Sequence, residues 1–255
     1  MAFKEVYINN TSSFFPNDPV SNDEMEDYLG YINDTPSRSK AIVLRNNGIK
    51  NRFYALRKDG TSTHTNAQMT ALAVRKLLND DAEKLAAIQL LSCGTSSPDQ
   101  MMPSHAVMAH GWIPEIKNAE VVSPSGVCCA GMHAFKYAYL ATKAGDKTQS
   151  IATGSERFSK ALVATNFEDE AQKLKALVDD PYIGFEKEFL RWMLSDGSAA
   201  FLISDKKNET GISLRVEWLE GFSYANELGP CMYMGGEKQK DGSFKSYLDY
   251  TPQEL

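Results

Sequence analysis

Directly behind Val127-Cys128-Cys129-Ala130-Gly131 runs a proline-free stretch in which Met132, Ala134, Phe135, Tyr137, Ala138, Tyr139, Leu140 and Ala141 precede Gly145. So apolar a helix has to be covered on most of its sides, and it is read as buried. Ser123-Pro124-Ser125-Gly126 ahead of it reads as a loop or strand end. The arrangement delivers a thiol to the first turn of the helix, where unpaired N–H groups and the positive end of the dipole favour thiolate. On the residues alone, the cysteine pair is either a nucleophile or packed thiol, since free cysteine is among the most buried residue types.

Apolar strands alternate with helices around this stretch. Residues 86–93 form an apolar run suited to a buried, parallel strand. Gly94-Thr95-Ser96-Ser97-Pro98 follows at its C-terminal end, where open α/β sheets place their chemistry. Further strands are expected at 3–9, 120–123, 150–156, 200–203 and 211–219. A helix starting near Ser21 or Asn22 would bury Met25, Tyr28 and Leu29. Another, from Asn66 to Leu78, would be capped by Thr63 or Thr65 and carries Met69, Leu72, Ala73, Leu77 and Leu78 at helical spacing. A third opens at Pro103-Ser104 and ends at Gly111. Residues 41–45 fit a helix or a short strand, 79–84 a solvated connection, 167–178 a charged helix, and 251–255 a helix start. Gly154 reads as a tight turn, and Asp196 as a turn residue before Gly197. The alternation predicts an α/β fold with a largely parallel sheet.

Composition excludes some functions. The 27 basic and 33 acidic residues give a net charge of -6, with no basic footprint for nucleic acid. No segment is long and apolar enough to span a membrane, and the opening residues read as a strand. Cys93, Cys128, Cys129 and Cys231 show no metal-ligand spacing, and His64, His105, His110 and His133 add none, so no metal is expected. Four unpaired thiols suit a reducing, cytoplasmic setting.

Four stretches then occur in order: Arg45-Asn46-Asn47-Gly48-Ile49-Lys50-Asn51-Arg52; the Ser-rich residues 92–104, ending in Pro103-Ser104; Val127-Cys128-Cys129-Ala130-Gly131; and Leu194-Ser195-Asp196-Gly197-Ser198-Ala199-Ala200. Together they resemble the N-terminal half of β-ketoacyl-acyl-carrier-protein synthase III, a thiolase-fold ketosynthase. They are similar in turn to its Arg-Thr-Gly-Ile-x-x-Arg segment (with one extra residue here), its Thr-Thr-Ser-rich loop, its Ala-Ala-Cys-Ala-Gly nucleophile motif and its Gly-Asp-Gly-Ala-x-Ala turn.

The resemblance implies a thiolase-like layered α/β fold, in which a mostly parallel sheet is flanked by helices. Residues 1–205 would be the N-terminal domain carrying the nucleophile, and 206–255 the connection toward a C-terminal half. Cys129, the cysteine followed by Ala-Gly, would be the nucleophile, its backbone N–H contributing to an oxyanion hole. Cys128 takes a small-residue position and is read as core. Arg45 aligns with a substrate-binding arginine, while Ala41 stands where many members carry a tryptophan that stacks on the adenine of coenzyme A. The implied reaction transfers an acyl group from an acyl-CoA or acyl-carrier-protein thioester to the thiol. A decarboxylative Claisen condensation with a malonyl thioester follows, in fatty-acid or secondary-metabolite synthesis. No cofactor is implied; a homodimer is, with no nucleic-acid or membrane partner.

In that family the His and Asn that promote decarboxylation lie in the second half, and none of the four histidines here sits in a matching stretch. The 255 residues are therefore expected to acylate but not to complete condensation alone. Rival readings are a non-decarboxylating acyltransferase on the same fold and a non-catalytic partner subunit. A hydroxymethylglutaryl-coenzyme-A-synthase-like enzyme ranks lower, because no acid follows Ser92 until Asp99. His133, four residues after Cys129, is either a base or an ordinary helix residue. Met101, Met102 and Met108 suit an acyl tunnel or the core equally. Residues 164–188 read as an insertion shaping a tunnel or a dimer edge.

Overall fold

The computed structural model describes residues 3–37, 39–167 and 189–229, together with 232, 234, 236–238 and 243–246. Contacts divide the chain into two compact units, Met1–Glu217 and Trp218–Leu255. The first begins with β1 (Tyr7–Phe14), β2 (Val20–Ser21), α1 (Met25–Leu29), α2 (Lys40–Asn47) and β3 (Asn51–Arg52). It continues through α3 (Asn66–Leu77), α4 (Ala82–Ala86), β4 (Leu90–Gly94), α5 (His105–His110) and β5 (Glu120–Val122). Then come α6 (Ala130–Ala144), β6 (Gln149–Glu156), β7 (Gly197–Ser204) and β8 (Leu214–Arg215).

Local chemistry explains several boundaries. Thr65 caps α3 through a reciprocal box: its hydroxyl accepts from the Gln68 N–H, and the Gln68 side chain accepts from the Thr65 N–H. Residues 41–45 resolve as helix, because α2 ends on Gly48 in the left-handed region at φ 67°. The expected solvated connection at 79–84 is corrected: Asp81 caps the short α4 by accepting from the Glu83 and Lys84 N–H groups, and Leu85 is buried beneath it. That helix takes up Ala86, the first residue of the expected strand at 86–93, and the strand starts only at Leu90. The strand expected at 211–219 shrinks to Leu214–Arg215. The helices expected at 167–178 and 251–255 lie almost wholly outside the described residues.

The main sheet has six strands in the order β5-β4-β6-β7-β1-β8. β4 pairs in parallel with β5 and β6, whereas β6–β7, β7–β1 and β1–β8 are antiparallel. Following those pairings, β5, β4, β6 and β1 run one way, and β7 and β8 the other. Period-2 alternation sorts the side chains between the faces. Leu91, Cys93, Ile151 and Ala200 join the core built by Ala67, Ala71, Val74 and Leu77 of α3 with Ala106 and Ala109 of α5. The opposite face receives α6, whose Ala134, Phe135, Ala138, Tyr139 and Thr142 are buried; Phe135 meets Phe201 edge-on at 5.6 Å. The result is a three-layer α/β/α sandwich with α6 as the whole of one described layer.

A second core lies over the first turns of the chain, where Val20, Met25, Leu29, Val43, Tyr54, Leu56 and Leu162 surround the fully buried Trp192. Buried Arg52 donates to the Trp192 carbonyl at 2.5 Å, and buried Arg191 donates to the carbonyls of Leu29, Gly30 and Leu162. In the unit Trp218–Leu255, β9 (Gly236–Lys238) and β10 (Phe244–Ser246) form an antiparallel hairpin.

Candidate functional site

Three glycines bring the start of α6 onto the sheet. Gly94 and Gly154 are paired neighbours on β4 and β6. A Cβ on Gly154 would lie 3.3 Å from the Gly131 Cα, and one on Gly131 would lie 3.1 Å from the Gly154 Cα. Helix and strand backbones therefore touch with nothing between them. Gly154 is not the expected tight turn; it sits inside β6, and its lack of a side chain admits the helix. By this contact the residue before α6, Cys129, is fixed at the C-terminal ends of the parallel strands.

The approach to the helix is a three-residue turn. The Cys129 N–H donates to the Val127 carbonyl at 2.6 Å, and Cys128 between them has φ 59°. Such i→i+2 turns with positive φ are rare and strained for a residue with a Cβ. The first helical bond follows at once, from the His133 N–H to the Cys129 carbonyl at 2.9 Å. Both thiols are free and exposed. The expectation that Cys128 is core is thereby corrected: the turn lifts it off the sheet. The Cys129 amide, expected as an oxyanion donor, is engaged by Val127.

The loop after β4 is tied to the same end of the sheet. Thr95 forms a parallel bridge with Ser125, and its N–H donates to the Pro124 carbonyl. Glu156, at the end of β6, accepts from the Ser96 N–H and hydroxyl at 2.8 Å each, from the Ser97 hydroxyl at 2.6 Å and from the Thr95 hydroxyl at 3.3 Å. One carboxylate thus organises three consecutive polar residues beside the segment that leads to Cys129. Asp99 closes the loop against α3, accepting from the Asn66 and Ala67 N–H groups at 2.8 Å each. An open depression of about 300 Å³ adjoins this end, lined in part by Phe15, Gly154, Glu156, Ser195 and Gly197.

Sequence reasoning passed over Glu156, because its partners lie about sixty residues away. The available signal was an acid directly after Gly154-Ser155 at a strand end facing a Ser-rich loop. Asp196 also does more than close a turn. Buried, it accepts from the Ala55, Phe158 and Ser159 N–H groups and from the Ser159 hydroxyl, joining three segments.

The remaining candidates disperse. Arg45 lies exposed on α2, and no hydrogen bond or ion pair joins it to the 127–129 turn. No hydrogen bond links any of the four imidazoles to Cys129. His133 is exposed; His110 lies against the Ile116 carbonyl and His64 against the Thr63 hydroxyl. His105 is buried between the hydroxyls of Thr70 and Ser155 at 3.0 and 3.1 Å, and burial lowers its imidazole to about 4. Cys93 is wholly buried, and burial pushes its thiol up to about 12. Met101 and Met102 are exposed, while Met108 packs on the core. Cys231 and residues 168–188 lie outside the described residues. Among the described residues no cluster of His, Cys, Asp or Glu is arranged to hold a metal ion, and no helix is long and apolar enough to cross a membrane.

No family model matches the chain. In sequence it is similar to the β-ketoacyl-[acyl-carrier-protein] synthase III of Neisseria gonorrhoeae, 28% identical over 155 residues that make up 61% of this chain and 45% of the relative. The enzyme of the same name from Bordetella petrii is 29% identical over 155 residues, again 61% and 45% of the two chains. The chain therefore spans less than half the length of these relatives. Among solved structures, AbyA1, a tetronic acid condensing enzyme, superposes with a TM-score of 0.63 at 16% identity, over 80% of this chain and 56% of that one. Cerulenin-bound OleA of Xanthomonas campestris gives a TM-score of 0.58 at 18% identity, over 80% and 58%. The fold is thiolase-like, and the sequence resemblance is to β-ketoacyl-acyl-carrier-protein synthase III.

Proposed function

We propose that the chain carries the nucleophile of a condensing enzyme and that Cys129 is that nucleophile. Its thiolate attacks the carbonyl carbon of an acyl thioester delivered by coenzyme A or an acyl carrier protein, and the carrier thiol leaves. The resulting acyl-enzyme then meets the carbanion left when a malonyl thioester loses carbon dioxide. Carbon–carbon bond formation releases a β-ketoacyl thioester and returns the thiol. The observation that carries this reading is an exposed Cys129 at the head of α6, whose next residues, Ala130 and Gly131, lie against Gly94 and Gly154 at the ends of the parallel strands.

Acylation needs only a reachable thiol and a donor. Condensation needs groups that promote decarboxylation, and none of the four imidazoles is hydrogen-bonded to Cys129. The 255 residues are therefore proposed to acylate without sustained condensation. Arg45, exposed near the end of α2, is proposed to meet the anionic portion of the carrier. A cytoplasmic homodimer is part of the same proposal.

The deciding experiment is intact-mass analysis after incubation with acyl-CoA and acyl-carrier-protein donors. An adduct that maps to Cys129 and disappears in Cys129→Ala is expected. Absence of an adduct with every donor, in protein that remains folded, sinks the proposal, and steady condensation by these residues alone overturns the division between the two steps.

A further inference from the structure

We propose that Cys128 and Cys129 form a two-thiol redox site, in which Cys128 resolves an oxidised Cys129 by closing a reversible disulfide. Both thiols are free and exposed, so both are open to a small oxidant and to each other. They are consecutive, with Cα atoms about 3.8 Å apart, so the sulfurs meet through side-chain rotation and adjustment of one turn. That turn is exposed from Ser125 to Cys129 and carries Cys128 at φ 59°, so the adjustment falls on residues ahead of Ala130, where the packed part of α6 begins. The other described cysteine, Cys93, is sealed in the core between sheet and helices and takes no part.

The chemistry balances with a hydroperoxide as the oxidant. The Cys129 thiolate attacks the O–O bond, and its sulfur gains one oxygen as sulfenic acid while the other oxygen leaves as water or an alcohol. The Cys128 thiolate then attacks that sulfur. The S–O bond breaks, hydroxide takes up a proton and leaves as water, and the S–S bond forms. Two thiols have lost two hydrogens and the peroxide has gained two electrons. A cellular dithiol reverses the step by thiol–disulfide exchange.

The adjacency decides the character of the bond. Disulfides ordinarily span Cα separations of about 4.4–6.8 Å, so a bridge between neighbours is strained and readily reduced. It therefore suits a temporary state rather than a structural staple. Its value lies in the alternative: a sulfenic acid with no resolving thiol proceeds to sulfinic acid, which ordinary thiols do not reverse. The proposal stands apart from acyl transfer, because its readout is the oxidation state of sulfur.

The test treats the full chain with hydrogen peroxide and follows intact mass, with peptide mapping to assign the sulfurs. Wild type is expected to lose about 2 Da at Cys128–Cys129 and to regain free thiols with dithiothreitol. In Cys128→Ser the Cys129 sulfenic acid accumulates, is trapped when dimedone is present and, without dimedone, goes on to a total gain of about 32 Da that dithiothreitol does not reverse. Phenylarsine oxide gives a second arm that needs no oxidation, since one trivalent arsenic bridges two thiols within reach. It should bind wild type and fail with Cys128→Ser and with Cys129→Ser. A wild type that overoxidises as fast as Cys128→Ser, or an arsenical that binds neither wild type nor variants, overturns the proposal.

Discussion

A Cβ on Gly94 would lie 2.1 Å from the carbonyl oxygen of Ala130, so the first turn of α6 rests directly on the bare backbone of β4. No side-chain rotation relieves a clash between a methyl group and a main-chain oxygen. Gly94→Ala is expected to destabilise the fold by roughly 3 kcal/mol, at the upper end of overpacking costs. Urea unfolding measures this, and a change below about 0.5 kcal/mol would mean that α6 does not seat as described.

Asp196 should be far less replaceable than a turn residue. Asp196→Ala leaves the Ala55, Phe158 and Ser159 N–H groups without their acceptor, a loss of roughly 3–5 kcal/mol. Asp196→Asn should not rescue it fully, because an amide NH₂ would then face N–H donors. Thermal unfolding of both variants checks the order wild type, Asn, Ala.

Cys128 reports on the turn before the helix. Glycine takes positive φ freely and β-branched residues avoid it, so Cys128→Gly should be neutral or stabilise by up to about 1 kcal/mol, and Cys128→Val should cost about 1–2 kcal/mol. Equal melting temperatures for the two variants would show that residue 128 does not hold positive φ in solution.

His105 makes stability fall in mild acid. The unfolded imidazole takes its proton near 6.5, and the buried one only near 4, so between those values the unfolded chain binds more protons. Stability from this group is complete above about pH 6.5 and declines as the pH falls toward 4, by roughly 3 kcal/mol. In His105→Gln that part of the decline should vanish. Denaturation curves at pH 7 and 4.5 compare the two proteins, and identical slopes would contradict the buried neutral imidazole.

What could be read from the sequence was what is encoded locally. The Thr65 cap, the Gly145 stop and the helix behind Cys129 all depend on a few neighbouring residues, and each stood where expected, although α6 is covered on one face only and leaves Met132, Tyr137 and Leu140 exposed. Cys129 could be told from Cys128 only by resemblance, since spacing alone treats the neighbours alike. What stayed hidden depends on partners distant along the chain. Glu156 finds its hydroxyls sixty residues earlier, Gly154 needs Gly131 from another layer, and Asp196 draws on residues 55, 158 and 159. Cys128 defeated its small-residue reading because a turn can expose any side chain that its backbone lifts clear.

The bond from the Cys129 N–H to the Val127 carbonyl bears on selectivity between ground state and transition state. Under the proposed acylation, a thioester oxygen approaching that amide competes with a carbonyl of similar basicity, so the exchange is nearly neutral and does little to tighten resting substrate. An oxyanion is a stronger acceptor, and its hydrogen bond exceeds the neutral one by about 1 kcal/mol. The internal acceptor thus subtracts from substrate affinity while leaving the developing charge its advantage, which is the form of discrimination that raises turnover rather than occupancy.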